Sequence, residues 1–148
     1  MWQIKKFNEL TTRELYQILQ LRNAIFVVEQ NCVYQDADGK DKRAFHLFLE
    51  KENQIIAYAR MFKSGDYFDN ASIGRVVVHT KFRKKNLGKI LMQKAIDFTT
   101  RILKEKTIEI SAQTYLIHFY KDLGFKVIGN EYLEDVLPHI KMIWNNTL

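Results

Sequence analysis

The run VVVHTKFRKKNLGKILMQKAI, residues 76–96, constrains this chain more than any other stretch. A β-branched apolar segment ends, a basic turn follows, and an amphipathic helix begins directly behind it, with Leu87, Leu91, Ala95 and Phe98 at helical spacing. The helix leads to a second short β-like segment, TIEISAQ, which a crossover helix makes parallel to the first. The turn is electrostatically odd. A helix N-terminus carries unpaired N–H groups and about half a positive charge, so acids and caps are expected there. Here Lys81, Arg83, Lys84, Lys85 and Lys89 crowd it instead. Each misplaced cation costs about 0.3–1 kcal/mol at an exposed site unless an anion shares the space.

The rest of the chain reads as alternating elements without a Pro/Ser-rich linker, repeat or low-complexity tract, so residues 1–148 are expected to form one domain. Residues 2–7 read as a strand. Thr11 and Glu14 form a capping box for a helix through Leu15, Ile18, Leu19, Ile25 and Phe26, and Arg22 falls on its apolar stripe and needs a partner. Residues 44–50 and 55–62 read as a hairpin, and residues 71–79 as a third strand-like run. A short helix over residues 115–123 ends at Gly124, a left-handed C-cap, and the tail segments FKVIG and HIKMIW supply two further strands. The class is α/β with a mixed sheet.

Three readings compete for the basic turn: a solvated loop, a nucleic-acid contact and a phosphate site on a helix N-terminus. Only the last explains why the charge sits at that end. The turn is neither a Walker loop nor the dinucleotide fingerprint, and Gly88 supplies a residue without a side chain where a backbone-amide cradle needs one. A pyrophosphate suits it. The formal net charge of +6 coexists with acidic residues such as Asp36, Asp38, Asp41, Glu131, Glu134 and Asp135, a balance that fits a polyanionic ligand without demanding nucleic acid. Cys32 is the only cysteine, and no signal-peptide pattern or membrane-length apolar run is present, so a reducing cytoplasm and no membrane are expected. His46, His79, His118 and His139 lie in separate elements without ligand spacing, so no metal is expected.

The turn resembles the acetyl-CoA motif of GNAT-superfamily N-acetyltransferases, [RQ]-x-x-G-x-[GA], and here reads Arg83-Lys84-Lys85-Asn86-Leu87-Gly88. Asn86 replaces the first glycine, and asparagine tolerates a left-handed backbone better than most residues. LRNAIFVVEQNCVYQDADGKD, IGRVVV, FYKDLGF and EDVLPHIKM resemble, in order, the segments of the ElaA-like branch, so the similarity spans nearly the whole chain. The resemblance implies the GNAT (acyl-CoA N-acyltransferase) fold: a mixed, mostly antiparallel sheet flanked by helices, with a splayed central parallel strand pair. Backbone groups of Val76, Val77 and Val78 would bond the pantetheine arm, residues 83–89 would hold the pyrophosphate, and Gln113 would lie near the arm. Read alone, the three valines are a buried strand and Gln113 a polar strand end.

The same resemblance implies acetyl transfer from acetyl-CoA to an amine by direct attack in a ternary complex. A primary alkylammonium, with pKa near about 10.4, must lose a proton, and the departing thiolate must be stabilised or protonated. Tyr120 matches the position of the family's acid. Glu29, Glu109, His46 and His79 are candidate bases, with Glu29 the first choice. Gln30, Arg22, Arg60 and Arg75 are candidates for the acceptor side, and the arginines have Asp36 and Asp38 as alternative partners. The partner is a small-molecule or protein amine, for a monomer or homodimer. Two rival readings are an acyl-CoA-binding sensor with little turnover and, more distantly, a nucleic-acid-binding domain.

Overall fold

The computed structural model describes residues 1–83 and 85–146. Among these residues seven strands form one sheet: β1 (Trp2–Lys6), β2 (Phe45–Lys51), β3 (Gln54–Phe62), β4 (Ala71–Val78), β5 (Thr107–Gln113), β6 (Lys126–Glu134) and β7 (Leu137–Asn145). Their spatial order is β1-β2-β3-β4-β5-β7-β6, with every pairing antiparallel except β4 with β5. Among the same described residues three α-helices flank it: α1 (Thr12–Arg22), α2 (Leu87–Asp97) and α3 (Ile117–Asp122). The order and pairing match the mixed, mostly antiparallel sheet with one central parallel pair that the resemblance implies.

Residue spacing explains the layers. Along β3, Ala57, Ala59 and Met61 join a core with Leu91, Met92, Ala95 and Ile96 of α2, whereas Tyr58 between them packs with Ile18 and Leu21 of α1. The period of two in a strand sends alternate side chains to opposite faces, so the central strand is apolar on both. The capping box forms: Glu14 N donates to Thr11 Oγ1 at 3.0 Å and Thr11 N donates to Glu14 Oε1 at 2.9 Å. Beyond Arg22 the chain continues as a π-helical turn, Asn23–Glu29, which ends the first layer beside the centre of the sheet.

Two features open the sheet. The parallel pairing of β4 with β5 consists of Ala71 with Ile108 and Ser72 with Glu109, so the strands part from Ile73 onward. On its other edge β4 bulges against β3: the register shifts between Tyr58 and Arg60, and Arg75 takes a left-handed backbone, φ 51°. A bulge of this kind bends the strand and re-aims the side chains beyond it. A left-handed non-glycine residue costs of order 1–3 kcal/mol, which surrounding contacts must offset.

Candidate functional site

The split between β4 and β5 is the floor of a cleft. Val76 of β4, Ile110, Ser111 and Gln113 of β5 and Tyr120 of α3 line it. The π-helical turn and the loop behind it contribute Phe26, Gln30, Cys32 and Tyr34, and the β6–β7 hairpin contributes Glu134, Asp135 and His139. Gln30 and Gln113 face each other across the cleft with their side-chain amides 3.4 Å apart.

The loop wall is held by a closed ring of ion pairs. Arg22 bonds Asp36 at 2.7 Å and Asp41 at 2.8 Å; Arg60 bonds Asp41 and Asp38, each at 2.9 Å; Arg75 reaches Asp36 at 2.8 Å and Asp38 at 3.4 Å. Each aspartate therefore joins two arginines, and each arginine two aspartates. Arg22 is fully buried and Arg60 almost so. Burial pushes the Asp41 carboxyl up, but the hydrogen bonds and charges of Arg22 and Arg60 outweigh it and hold the group below the ordinary carboxylate range. Asp38, opposed in the same way by Arg60, falls to about 2. Arg60 and Arg75 also line the cleft, but their charge is committed to this ring, which pins residues 36–41 and the left-handed Arg75 to the sheet.

Tyr120 is placed by the end of α3. Phe125 N donates to Tyr120 O at 3.1 Å and Gly124 N to Lys121 O at 3.0 Å, a Schellman closure in which Gly124 has φ 102°. The Tyr120 ring meets Phe125 and Phe119 edge-on, at centroid separations of 5.8 and 5.1 Å. Its hydroxyl has no hydrogen-bond partner among the described residues, and burial pushes its pKa up, so it stays protonated.

At the far end of β4, α2 begins at Asn86, which is left-handed with φ 62°; no side chain caps the helix, and its first turn contains no acid. A methyl group at Gly88 would stand 3.6 Å from the Phe119 ring, an ordinary contact, so protein packing does not require a glycine there. Arg83 is folded back on β4: Nε donates to Val78 O at 3.1 Å and Nη2 to Glu29 Oε2 at 2.8 Å. Lys85 and Lys89 are exposed, and Lys84 lies outside the described residues. Val77 is buried in the core on the α1 side, while Val78 packs against the core on the α2 side.

None of the four candidate bases lines the cleft. The hydrogen bond from Arg83 holds the Glu29 carboxyl below its ordinary range, and Thr80 adds a second bond at 3.2 Å. Glu109 lies with Asn70 and Lys141. His46 is buried between Tyr58 OH and Asp41 O, and burial lowers its pKa. His79 accepts a bond from Lys81 N. His139, which the sequence reading weighs only as a metal ligand and not as a base, does line the cleft.

The chain matches the acetyltransferase (GNAT) domain over residues 14–146. It belongs to the GNAT acetyltransferase family. Protein ElaA of Escherichia coli is 41% identical over 95% of this chain and 94% of its own length. The crystal structure of E. coli ElaA superimposes with a TM-score of 0.91 over 98% of this chain and 99% of that one, at 39% identity. An acyl-CoA N-acyltransferase from Pseudomonas aeruginosa does so equally, with a TM-score of 0.91, 38% identity and coverage of 97% and 99%. Membership of this family supports acyl-CoA-dependent acyltransferase activity. Among the described residues no group of His, Cys, Asp and Glu is arranged to hold a metal ion, and no helix is long and apolar enough to cross a membrane.

Proposed function

We propose that this GNAT-family protein transfers an acetyl group from acetyl-CoA to a primary amine by direct attack in a ternary complex. The observation that carries the reading is the uncapped, acid-free start of α2 at a left-handed Asn86, joined through Gly88 and Phe119 to a cleft where Tyr120 presents an unpartnered hydroxyl. Aligned N–H groups and the helix dipole favour a phosphate at such an end, and Arg83, Lys85 and Lys89 add charge. Lys84 belongs to the same proposed cradle by sequence.

The fit extends along β4. Beyond Ser72 the edge of β4 facing β5 is not paired with it, leaving room for an extended arm to bond the backbone beside Val76 and Val77. The buried Ser72 hydroxyl also lacks a partner among the described residues and lines the cleft. Acetyl-CoA supplies the activated acyl group. Tyr120 donates a hydrogen bond or proton where negative charge develops on sulfur, a role suited to a phenol that burial keeps protonated. Gln30 and Gln113 border the channel between the two halves of the site. Arg22, Arg60 and Arg75 shape the acceptor side through the ion-pair ring instead of offering free charge. Glu29 competes with the phosphate for Arg83 through an exposed ion pair, and its depressed carboxyl is a weak proton acceptor. The setting is a cytoplasmic enzyme, without a metal, membrane or nucleic-acid partner.

The test is calorimetric titration with acetyl-CoA, followed by release of free thiol in the presence of amines. Binding with amine-dependent release is expected, and Tyr120→Phe should lower turnover while leaving acetyl-CoA affinity within about twofold. Binding without release from any amine would make the protein an acyl-CoA sensor, and failure to bind would remove the phosphate cradle from the argument.

A further inference from the structure

His139 is buried, 6% exposed, yet lines the cleft. Its Nδ1 stands 2.8 Å from Leu137 O. A carbonyl oxygen only accepts, so Nδ1 carries a hydrogen, and the neutral ring presents its lone pair at Nε2. That nitrogen stands 3.7 Å from Glu134 Oε2. The other Glu134 oxygen accepts from Ser111 Oγ at 3.0 Å, and Ser111 Oγ is in turn hydrogen-bonded to Tyr132 OH. Tyr132 is the cross-strand neighbour of His139 and stacks on its ring at a centroid separation of 6.3 Å.

The result is a pair of acceptors, an imidazole nitrogen and a carboxylate oxygen, converging on one point of the cleft. Two acceptors facing each other repel unless a cationic donor joins them. The remaining charge of the cleft agrees in sign. Arg60 and Arg75 are neutralised by Asp36, Asp38 and Asp41, while Glu134 and Asp135 carry no arginine or lysine partner among the described residues. The hairpin bearing this pair is held in place: Asp135 and Val136 are both left-handed, at φ 49° and 60°, and the Cys32 thiol bonds Asp135 O at 3.0 Å. Positive φ at both positions is what a two-residue hairpin turn between Glu134 and Leu137 requires, so the turn fixes the two strand ends that carry the pair.

We infer that His139 and Glu134 form the receiving site for the acceptor amine in its ammonium form, and that His139 Nε2 takes the proton that frees the attacking lone pair. This rests on the transferase reading above. The substrate class is a primary alkylamine that arrives as a cation. The proton count closes: R–NH3⁺ gives one proton to His139, which passes it to water, and the neutral nitrogen attacks the thioester carbonyl carbon. The C–N bond forms, the C–S bond breaks, and the second nitrogen proton leaves to balance the one that Tyr120 lends the departing sulfur. The products are the N-alkylacetamide, the thiol and one released proton.

The groups facing His139 are Glu134 and Tyr132 from β6, Gln113 from β5 and Leu137 O from its own strand, with Asp135 in the connecting turn lining the same cleft. Long-range ¹⁵N–¹H spectra of the whole protein should show that the neutral form of His139 carries its hydrogen at Nδ1; a neutral ring protonated at Nε2 would overturn the proposal. Thiol release is then measured with acetyl-CoA and spermidine, tyramine or n-butylamine. His139→Asn retains a donor for Leu137 O but has no base, and it should lower kcat about a hundredfold or more with acetyl-CoA affinity unchanged. The histidine limb of its pH–rate profile should vanish. Glu134→Gln should act mainly on the KM of the amine. Wild-type turnover with an unaltered profile in His139→Asn removes the base alone. Absence of wild-type turnover with all three amines removes the transferase reading for cationic alkylamines, and this proposal with it.

Discussion

Replacing Asp41 by asparagine should show what the ion-pair ring contributes. Asp41 Oδ1 lies 2.8 Å from Arg22 Nη1 and 2.9 Å from Arg60 Nη1, and both guanidinium groups are almost completely removed from water. Asn keeps the shape and one oxygen but removes the negative charge, leaving three arginines with two aspartates in the ring. Each charge-assisted hydrogen bond is worth roughly 1.5–3 kcal/mol, and stripping one partner from a buried pair costs about 3–5 kcal/mol. We therefore expect a loss of about 3–4 kcal/mol in urea unfolding at pH 7, with Tm lower by on the order of 10 °C. The pH dependence supplies a second check. Asp41 and Asp38 have folded-state pKa values below the ordinary 3.8, so their contribution is complete above about pH 4 and is lost as pH falls through the folded values, about 2 for Asp38. The stability gap between wild type and Asp41→Asn should accordingly be constant above about pH 4 and narrow as pH falls below it. A loss below about 1 kcal/mol at pH 7 with an unchanged urea slope would refute the idea that the ring needs all three negative charges.

Other substitutions separate cofactor binding from folding. Gly88→Ala should fold at least as stably as the wild type, since a methyl group meets only Phe119 at 3.6 Å, yet weaken CoA binding about tenfold in calorimetry by filling the phosphate cradle. Glu29→Gln frees Arg83 from an exposed pair worth at most about 1 kcal/mol, so CoA affinity should rise by about twofold to fivefold, most clearly at low salt. Gly124→Ala places a methyl group 3.0 Å from Trp144 Nε1 on a backbone with φ 102°; thermal unfolding should report a loss of about 2 kcal/mol, accompanied by a shift in tryptophan fluorescence.

The sequence was most legible where a local rule has one solution. Thr11 with Glu14 could only be a capping box, Gly124 stands in the left-handed closure assigned to it, and Asn86 takes the left-handed backbone that asparagine tolerates. Arg22 announced a buried partner by interrupting an apolar stripe, and Asp36 was among the candidate partners. What could not be read is the closure of all three arginines and all three aspartates into one ring, because that depends on where α1, β3, β4 and the loop meet in space. Nothing local marks Arg75 as the left-handed residue of a bulge, with Gly74 beside it the easier choice; the two aspartates holding its side chain decide the matter. The same limit explains His139. Its sequence neighbours are those of an ordinary strand, and its distinction comes from a carbonyl two residues back, a carboxylate on the adjacent strand and a cleft formed by separated β4 and β5. Residues defined by their own backbone are visible one at a time, whereas a reactive atom defined by what converges on it becomes visible only when the chain has folded.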